Sequence, residues 1–276
     1  MDLITQLVNT VFLRPYVFVF LWVSLLAGQR LLGNLRTLRF FGLTWVVAFS
    51  AEYSSTRIGI PFGEYVYTGS TAGKELYIFN IPFMDTLSFS FLLFSSYCLA
   101  LAFALPTVQI GGTWCWSFDA VSRTSWPVLI LTVMFFVLSD CVIDPVALKG
   151  DQWFLGNIYG YAHQGMYFGV PLTNFAGWAV VGSLSVLLFR LMEHSWYPHQ
   201  PVPKKLVKQY ILLGIGLYYG ILAFILGIAF WIGEGFLGMI GVLLYVPVTA
   251  LLLVTWWRND SLLEAAYPDS SLKLSD

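Results

Sequence analysis

Seven apolar stretches recur along this chain, at 14–30, 39–55, 84–105, 126–146, 172–192, 209–231 and 235–256. Each is near the length, about 20 residues, that an α-helix needs to cross a bilayer. Few folds accept that pattern. In hydrocarbon every backbone N–H and C=O must find its partner within the protein, which leaves helices or a closed barrel, and runs this long select helices. Composition agrees, with 58% hydrophobic and only 11% charged residues, where a soluble domain carries about 25% charged. The expectation is an all-α polytopic membrane protein of about seven transmembrane helices. It forms one integral domain over 1–276, a helical bundle at 14–256 followed by a short polar tail at 257–276. The first stretch follows Asp2 rather than a basic start and runs into "GQRLLGNLR", so it reads as a retained span and not a cleavable signal.

Charge sorts the loops. With the N-terminus outside, Arg30, Arg36, Arg39, Arg123, Arg190, Lys204, Lys205, Lys208, Arg258 and Lys273 share one side, and Arg14, Arg57, Lys74 and Lys149 the other. The positive-inside rule then predicts an N-out, C-in protein. The net charge is −1 and there is no basic run, which argues against nucleic acid as a partner and leaves membrane lipids as the surroundings. Cys98, Cys115 and Cys141 have no C-x-x-C spacing and read as small packed side chains. Two connections are long for a bundle, 56–83 and 149–171, where about 4–6 residues is usual. Both fall on the non-cytoplasmic side in this orientation. Their Gly, Tyr and Pro content predicts two loops folded back over the helices, because irregular backbone at membrane depth survives only against protein or a cavity.

The same side gathers the carboxylates. Glu52 lies late in the second stretch, Asp85 opens the third, Asp140 and Asp144 close the fourth, and Asn174 begins the fifth. Asp140 and Asp144 are four apart and so share one helix face. Pro145 disfavours helical geometry at Asp144, so the helix is expected to bend or end there and leave carbonyls facing a cavity. Simpler roles exist: Asp85 and Asp144 suit helix boundaries, Glu52 suits an ion pair with Arg57, and Tyr65, Tyr67, Tyr159, Tyr161 and Tyr167 suit an interfacial aromatic belt. Asp140 fits those least, since an ionisable group within a span is costly and functional by default.

Several chemistries lack their residues. His163, His194 and His199 form no histidine box for a di-iron site. The seventh stretch has no lysine for a retinal Schiff base, and no phosphate-binding glycine motif occurs in a strand-to-helix setting. The Asp140/Asp144 spacing matches an Mg²⁺–diphosphate motif, but the second aspartate-rich motif of prenyltransferases is missing. No metal site is expected.

Three motifs occur in order: "EYSSTRIGIPFGEYVYT" from Glu52, "DCVIDP" from Asp140 with Trp153 beyond it, and "YFGVPLTNFAGW" from Tyr167 through Asn174 to Trp178. Together, over about residues 45–190, they resemble the CruF-type family of membrane carotenoid biosynthesis proteins. That resemblance implies 1',2'-hydration, the addition of water to the terminal double bond of an acyclic carotenoid end group. It also implies a lipid-soluble carotenoid substrate, the bacterial inner membrane, and other carotenoid biosynthesis enzymes as neighbours. Hydrating such an alkene takes a proton donor, a tertiary cation and a water, with no metal or redox cofactor. A buried carboxyl keeps its proton when desolvation and a neighbouring carboxylate act together. On this reading one of Asp140 and Asp144 is the acid; the other, or Glu52, activates water, with Asp85 able to join them. The rings of Tyr65, Tyr67 or Trp153 face the cation, and Tyr167, Asn174 and Trp178 complete the substrate site. A carotenoid cyclase, a proton-coupled transporter and a non-catalytic carotenoid-binding protein are the alternatives.

Overall fold

The computed structural model describes residues 3–110, 113–196 and 204–265. Pro15, whose fixed φ suits a first helical turn, separates α1 (Leu3–Leu13) from α2 (Pro15–Leu32), and Gly33 breaks α2 from α3 (Asn34–Ile58). Gly59 then stops α3 in the left-handed conformation, φ +73°, which a residue with a Cβ adopts at a cost. The loop that follows carries β1 (Tyr65–Tyr67), β2 (Tyr77–Ile78) and β3 (Ile81–Pro82), and leads into α4 (Phe83–Ala104). At the other end of the bundle come the hairpin β4 (Thr107–Ile110) and β5 (Thr113–Trp116) and the short α5 (Ala120–Arg123). The chain continues through α6 (Trp126–Ala147), β6 (Tyr159–Tyr161), α7 (Leu172–Trp196), α8 (Lys204–Trp231) and α9 (Gly235–Ala265).

All seven expected stretches are helical. Six helices or helix pairs are long and apolar enough to cross a membrane; the exception is α3. At 25 residues it extends about 37 Å, but Arg36, Arg39, Glu52 and Arg57 dilute its hydropathy. Its burial comes instead from packing on α4 and α7. The sequence reading did not anticipate α1, whose 11 residues are too few to span. Helix α9 runs past the expected end at 256; the tail beyond 265 lies outside the described residues, as do the side chains of Cys115, His194 and His199.

Helix α4 occupies the centre, packed against α2, α3, α6 and α8. A helix covered on all sides is apolar all round, and 78% of its most hydrophobic window is buried. Lipid supplies no hydrophobic drive between helices, so close approach through small residues has to hold them. A Cβ added at Gly214 of α8 would sit 2.3 Å from the Cys98 sulfur of α4.

Charged groups tie both ends. Glu193 of α7 receives Arg36 of α3 through Nε at 2.9 Å and also binds Arg123, all three largely shielded. At the opposite end Arg14 is fully buried. It donates through Nη1 to the Leu155 carbonyl at 2.7 Å and pairs with Glu75 at 3.3 Å, joining the α1–α2 corner to both long loops.

Overpacking a tight contact costs about 1–3 kcal/mol. Gly214→Leu is therefore expected to lower the midpoint of thermal unfolding in detergent, whereas Gly216→Ala, where an added Cβ meets nothing within 4 Å, leaves it near wild type.

Candidate active site

The two long loops meet as a two-stranded antiparallel ribbon, with Tyr65 opposite Tyr161 and Tyr67 opposite Tyr159. Alternation along a strand puts residues two apart on one face, so all four tyrosines point the same way while Val66 between them is exposed. That face covers the ends of α3, α4, α6 and α7, where the carboxylates are.

Each carboxylate meets the ribbon or a neighbour. Glu52 is buried, and its Oε2 accepts from Tyr65 at 2.8 Å and contacts the Tyr67 hydroxyl. The Tyr67 hydroxyl also lies 2.5 Å from Asp85 Oδ2. Asp144 accepts on both oxygens, from Tyr159 at Oδ1 and from Tyr161 at Oδ2, 2.7 Å. Asn174, in the first turn of α7, spends both amide protons on the aspartate pair: Nδ2 donates to Asp140 Oδ2 at 2.7 Å and to Asp144 Oδ2 at 3.1 Å. Asp140 Oδ1 is buried with no hydrogen-bond partner.

Counting protons distinguishes these groups. A phenol has one proton to give. Tyr67 faces two carboxyls at once, so hydrogen bonds on both sides require that Glu52 or Asp85 hold a proton and donate it back. Asp144, by contrast, is surrounded by donors, the arrangement of an ionised carboxylate. The phenols themselves stay protonated: burial, then the charge of Asp85 and Glu52, pushes Tyr67 well above its ordinary value, and burial with Glu52 does the same for Tyr65.

Between ribbon and helix ends lies a cavity of about 50 Å³, bordered by Glu52, Asp85 and Asp144, by the four tyrosines and Asn174, and by Phe62, Phe89 and Trp178. It has room for a few waters. Its wall away from the ribbon is aromatic: Phe89 stacks on Trp178 with centroids 4.4 Å apart, and Phe136 packs against both, 4.5 Å from Trp178 and 6.0 Å from Phe89.

Of the residues expected from sequence, Glu52, Asp85, Asp144, Tyr65, Tyr67, Asn174 and Trp178 converge on this cavity. Asp140 is held just behind it through Asn174. Trp153 sits elsewhere, its indole N–H bound to the Val146 carbonyl at 3.1 Å. Tyr167 packs on Phe168 and Phe175, its hydroxyl buried without a partner. Helix α6 runs through Pro145 and ends two residues on, at Ala147, where the Val146 carbonyl is taken by Trp153 and by the Lys149 N–H. Two of the simpler roles need correction. Arg57 makes no pair with Glu52; it donates to the Tyr53 carbonyl and lies over the Tyr53 ring. Tyr159 and Tyr161 are cage residues, not an interfacial belt. The repeated Tyr-x-Tyr spacing was their signal, legible only once both segments are read as strands. Phe62 and Phe89 carried none.

Asn174→Leu would leave two facing carboxyls without their shared donor, a loss of about 1–3 kcal/mol. A lower unfolding midpoint is expected, with partial recovery in Asn174→Leu/Asp140→Leu, measured as a double-mutant cycle in detergent.

Residues 7–248 match the family described as "Carotenoid biosynthesis protein". Over 142 residues the chain is 32% identical to a bisanhydrobacterioruberin hydratase of Haloarcula japonica; the aligned region is 51% of this chain and 41% of that protein, so the match spans less than half of the relative's length. No solved structure matches. With the family match extending over most of the chain, this membrane protein belongs to the carotenoid biosynthesis protein family.

Proposed function

We propose that the protein is a carotenoid hydratase that adds water across the terminal 1',2' double bond of an acyclic end group. The observation that carries this reading is the cage itself: the Tyr67 hydroxyl held between Glu52 and Asp85, facing Asp144 and its three donors across a cavity with room for water. The family and the hydratase relative support it.

The residues divide the reaction between them. The Glu52–Asp85 pair delivers its proton to C2', and the alkene's electron pair forms the new C–H bond. The tertiary cation at C1' then faces Phe89 and Trp178, an attraction worth about 2 kcal/mol when desolvated. Water held by Asp144 forms the C–O bond and gives Asp144 its proton, so alkene and water become a tertiary alcohol. Asp140 and Asn174 hold Asp144 in place. This replaces the expectation that the acid lies within the Asp140/Asp144 pair with Glu52 able to activate water, because Asp140 does not border the cavity and Asp144 already accepts three hydrogen bonds, with one acceptor site left on Oδ1 for water. In the closed form only water fits, so admitting an end group requires Phe62, Phe89 or Trp178 to swing aside while the polyene remains among the helices and lipid. The cage would face the non-cytoplasmic side of a bacterial inner membrane, a placement supported by the loop charges.

Expression in a host that accumulates lycopene or γ-carotene should yield a more polar pigment heavier by one water. A product of unchanged mass with a ring would make the protein a cyclase, and unchanged pigment would sink the assignment for these substrates. The division of roles has its own test in D₂O. Asp144→Asn should lose hydration yet still exchange deuterium into recovered substrate, because the cation forms and collapses back; Glu52→Gln and Asp85→Asn should do neither. Trp178→Leu should slow hydration by about 30-fold, the kinetic equivalent of about 2 kcal/mol.

A further inference from the structure

A second cavity, of about 330 Å³, opens beside the cage. Its lining mixes polar side chains, Gln6, Thr68, Glu75, Tyr77 and Asn80, with Ala72 and Phe79, and it shares one residue with the cage, Tyr67. The contrast with the other large groove decides its character. The 280 Å³ hollow between α6 and α7 is lined by Trp126, Ile130, Val133, Met134 and their neighbours, a surface suited to lipid.

We infer that the polar cleft is the water port of the cage, with Tyr67 as the wall between port and cavity and Glu75 as the group that keeps the port hydrated. The inference rests on the hydratase reading, in which each turnover consumes one water. The bundle beneath the cage is apolar, so that water must come from the loop side. Glu75 supplies the independent observation. It is only 1% exposed and pairs with Arg14 through Oε1 alone; its Oε2 is buried with no protein partner. A carboxylate oxygen left without a donor is costly, and a water drawn in from the adjoining cleft, whose lining includes Glu75, would supply one. The walls are fixed: Thr68 donates its hydroxyl to the Asn157 carbonyl at 2.5 Å, Thr71 and Tyr77 join their hydroxyls at 2.7 Å, and Leu76 N–H donates to Thr10 at 2.8 Å. A held opening fits a port better than a loop that closes over substrate. The same route lets the proton taken by Asp144 exchange with solvent, and lets the Glu52–Asp85 pair regain the one it spent.

Ala72 is exposed on the rim of the cleft and makes no part of the cage, so it offers a plug. In the purified full-length Ala72→Cys variant, methanethiosulfonate reagents of increasing bulk should slow hydration progressively, by about tenfold for the largest. Reductant should restore the rate, and wild-type protein treated alike should keep it. Because the cap is added after folding and is reversible, misfolding does not explain a loss. Hydroxyl-radical labelling followed by mass spectrometry reads the same port without activity: Tyr67 should be labelled in the uncapped variant and protected in the capped one. Full hydration with the largest cap in place, or unchanged labelling of Tyr67, overturns the port. Absence of hydrated product from untreated wild type, with Tyr67 labelling still sensitive to the cap, instead overturns the hydratase reading and leaves a hydrated route to the cage standing.

Discussion

Four carboxyls at one end of an apolar bundle are the constraint on which this structure depends. An unpaired buried charge is among the costliest things a protein can hold, and the cation buried nearby, Arg14, pairs with Glu75 one loop away rather than with any of the four. Each of the four instead meets neutral donors, four phenols and one amide, and Asp140 keeps one oxygen, Oδ1, without a partner. That choice shapes the architecture. Donors must arrive from outside the helices, so two long loops fold back and pair as β1 and β6; the pairing register then sets Tyr65 and Tyr67 over Glu52 and Asp85, and Tyr159 and Tyr161 over Asp144.

The remainder of the fold serves that end. Arg14 and Glu75 pin both loops to the α1–α2 corner, where a buried ion pair is broken only at a large cost. Tight contacts such as Gly214 against Cys98 hold α4, and with it Asp85, in one position. At the far end the Arg36–Glu193–Arg123 cluster fixes α3 relative to α7, and so Glu52 relative to Asn174. On the proposed function, an acid that must reach one carbon of an alkene would gain from such rigidity, because misplacement by about 1 Å is enough to slow a reaction severely.

The cage is chemically asymmetric although its parts look alike. On one side two carboxyls share a phenol; on the other Asp144 accepts three hydrogen bonds and is backed by Asp140 through Asn174. Environments that separate like groups into acid and base are how one site runs both steps of an addition. Phe89 and Trp178 close the remaining side with aromatic rings, which offer no nucleophile. On the hydratase reading water is then the nucleophile at hand, and the cleft that ends at Tyr67 is consistent with its supply.

The sequence by itself determined the helices and the end of the bundle at which the chemistry gathers, because spanning length, the spacing of Asp140 and Asp144, and the position of Glu52 and Asp85 near span ends are local properties of the chain. It also pointed to the family, through motifs that turn out to surround one cavity. What it could not decide are the long-range pairings. Tyr65 and Tyr161 are far apart in sequence, and which loop meets which carboxylate is settled only by strand register. Trp153 looked like a cation-facing ring and instead binds a helix-end carbonyl, while Phe89, which no motif singled out, lines the site. The order of Asp140 behind Asp144 likewise depends on where α7 presents Asn174. Local pattern determines what each segment becomes, but burial and hydrogen-bond partners are relations between segments, and only the tertiary structure supplies them.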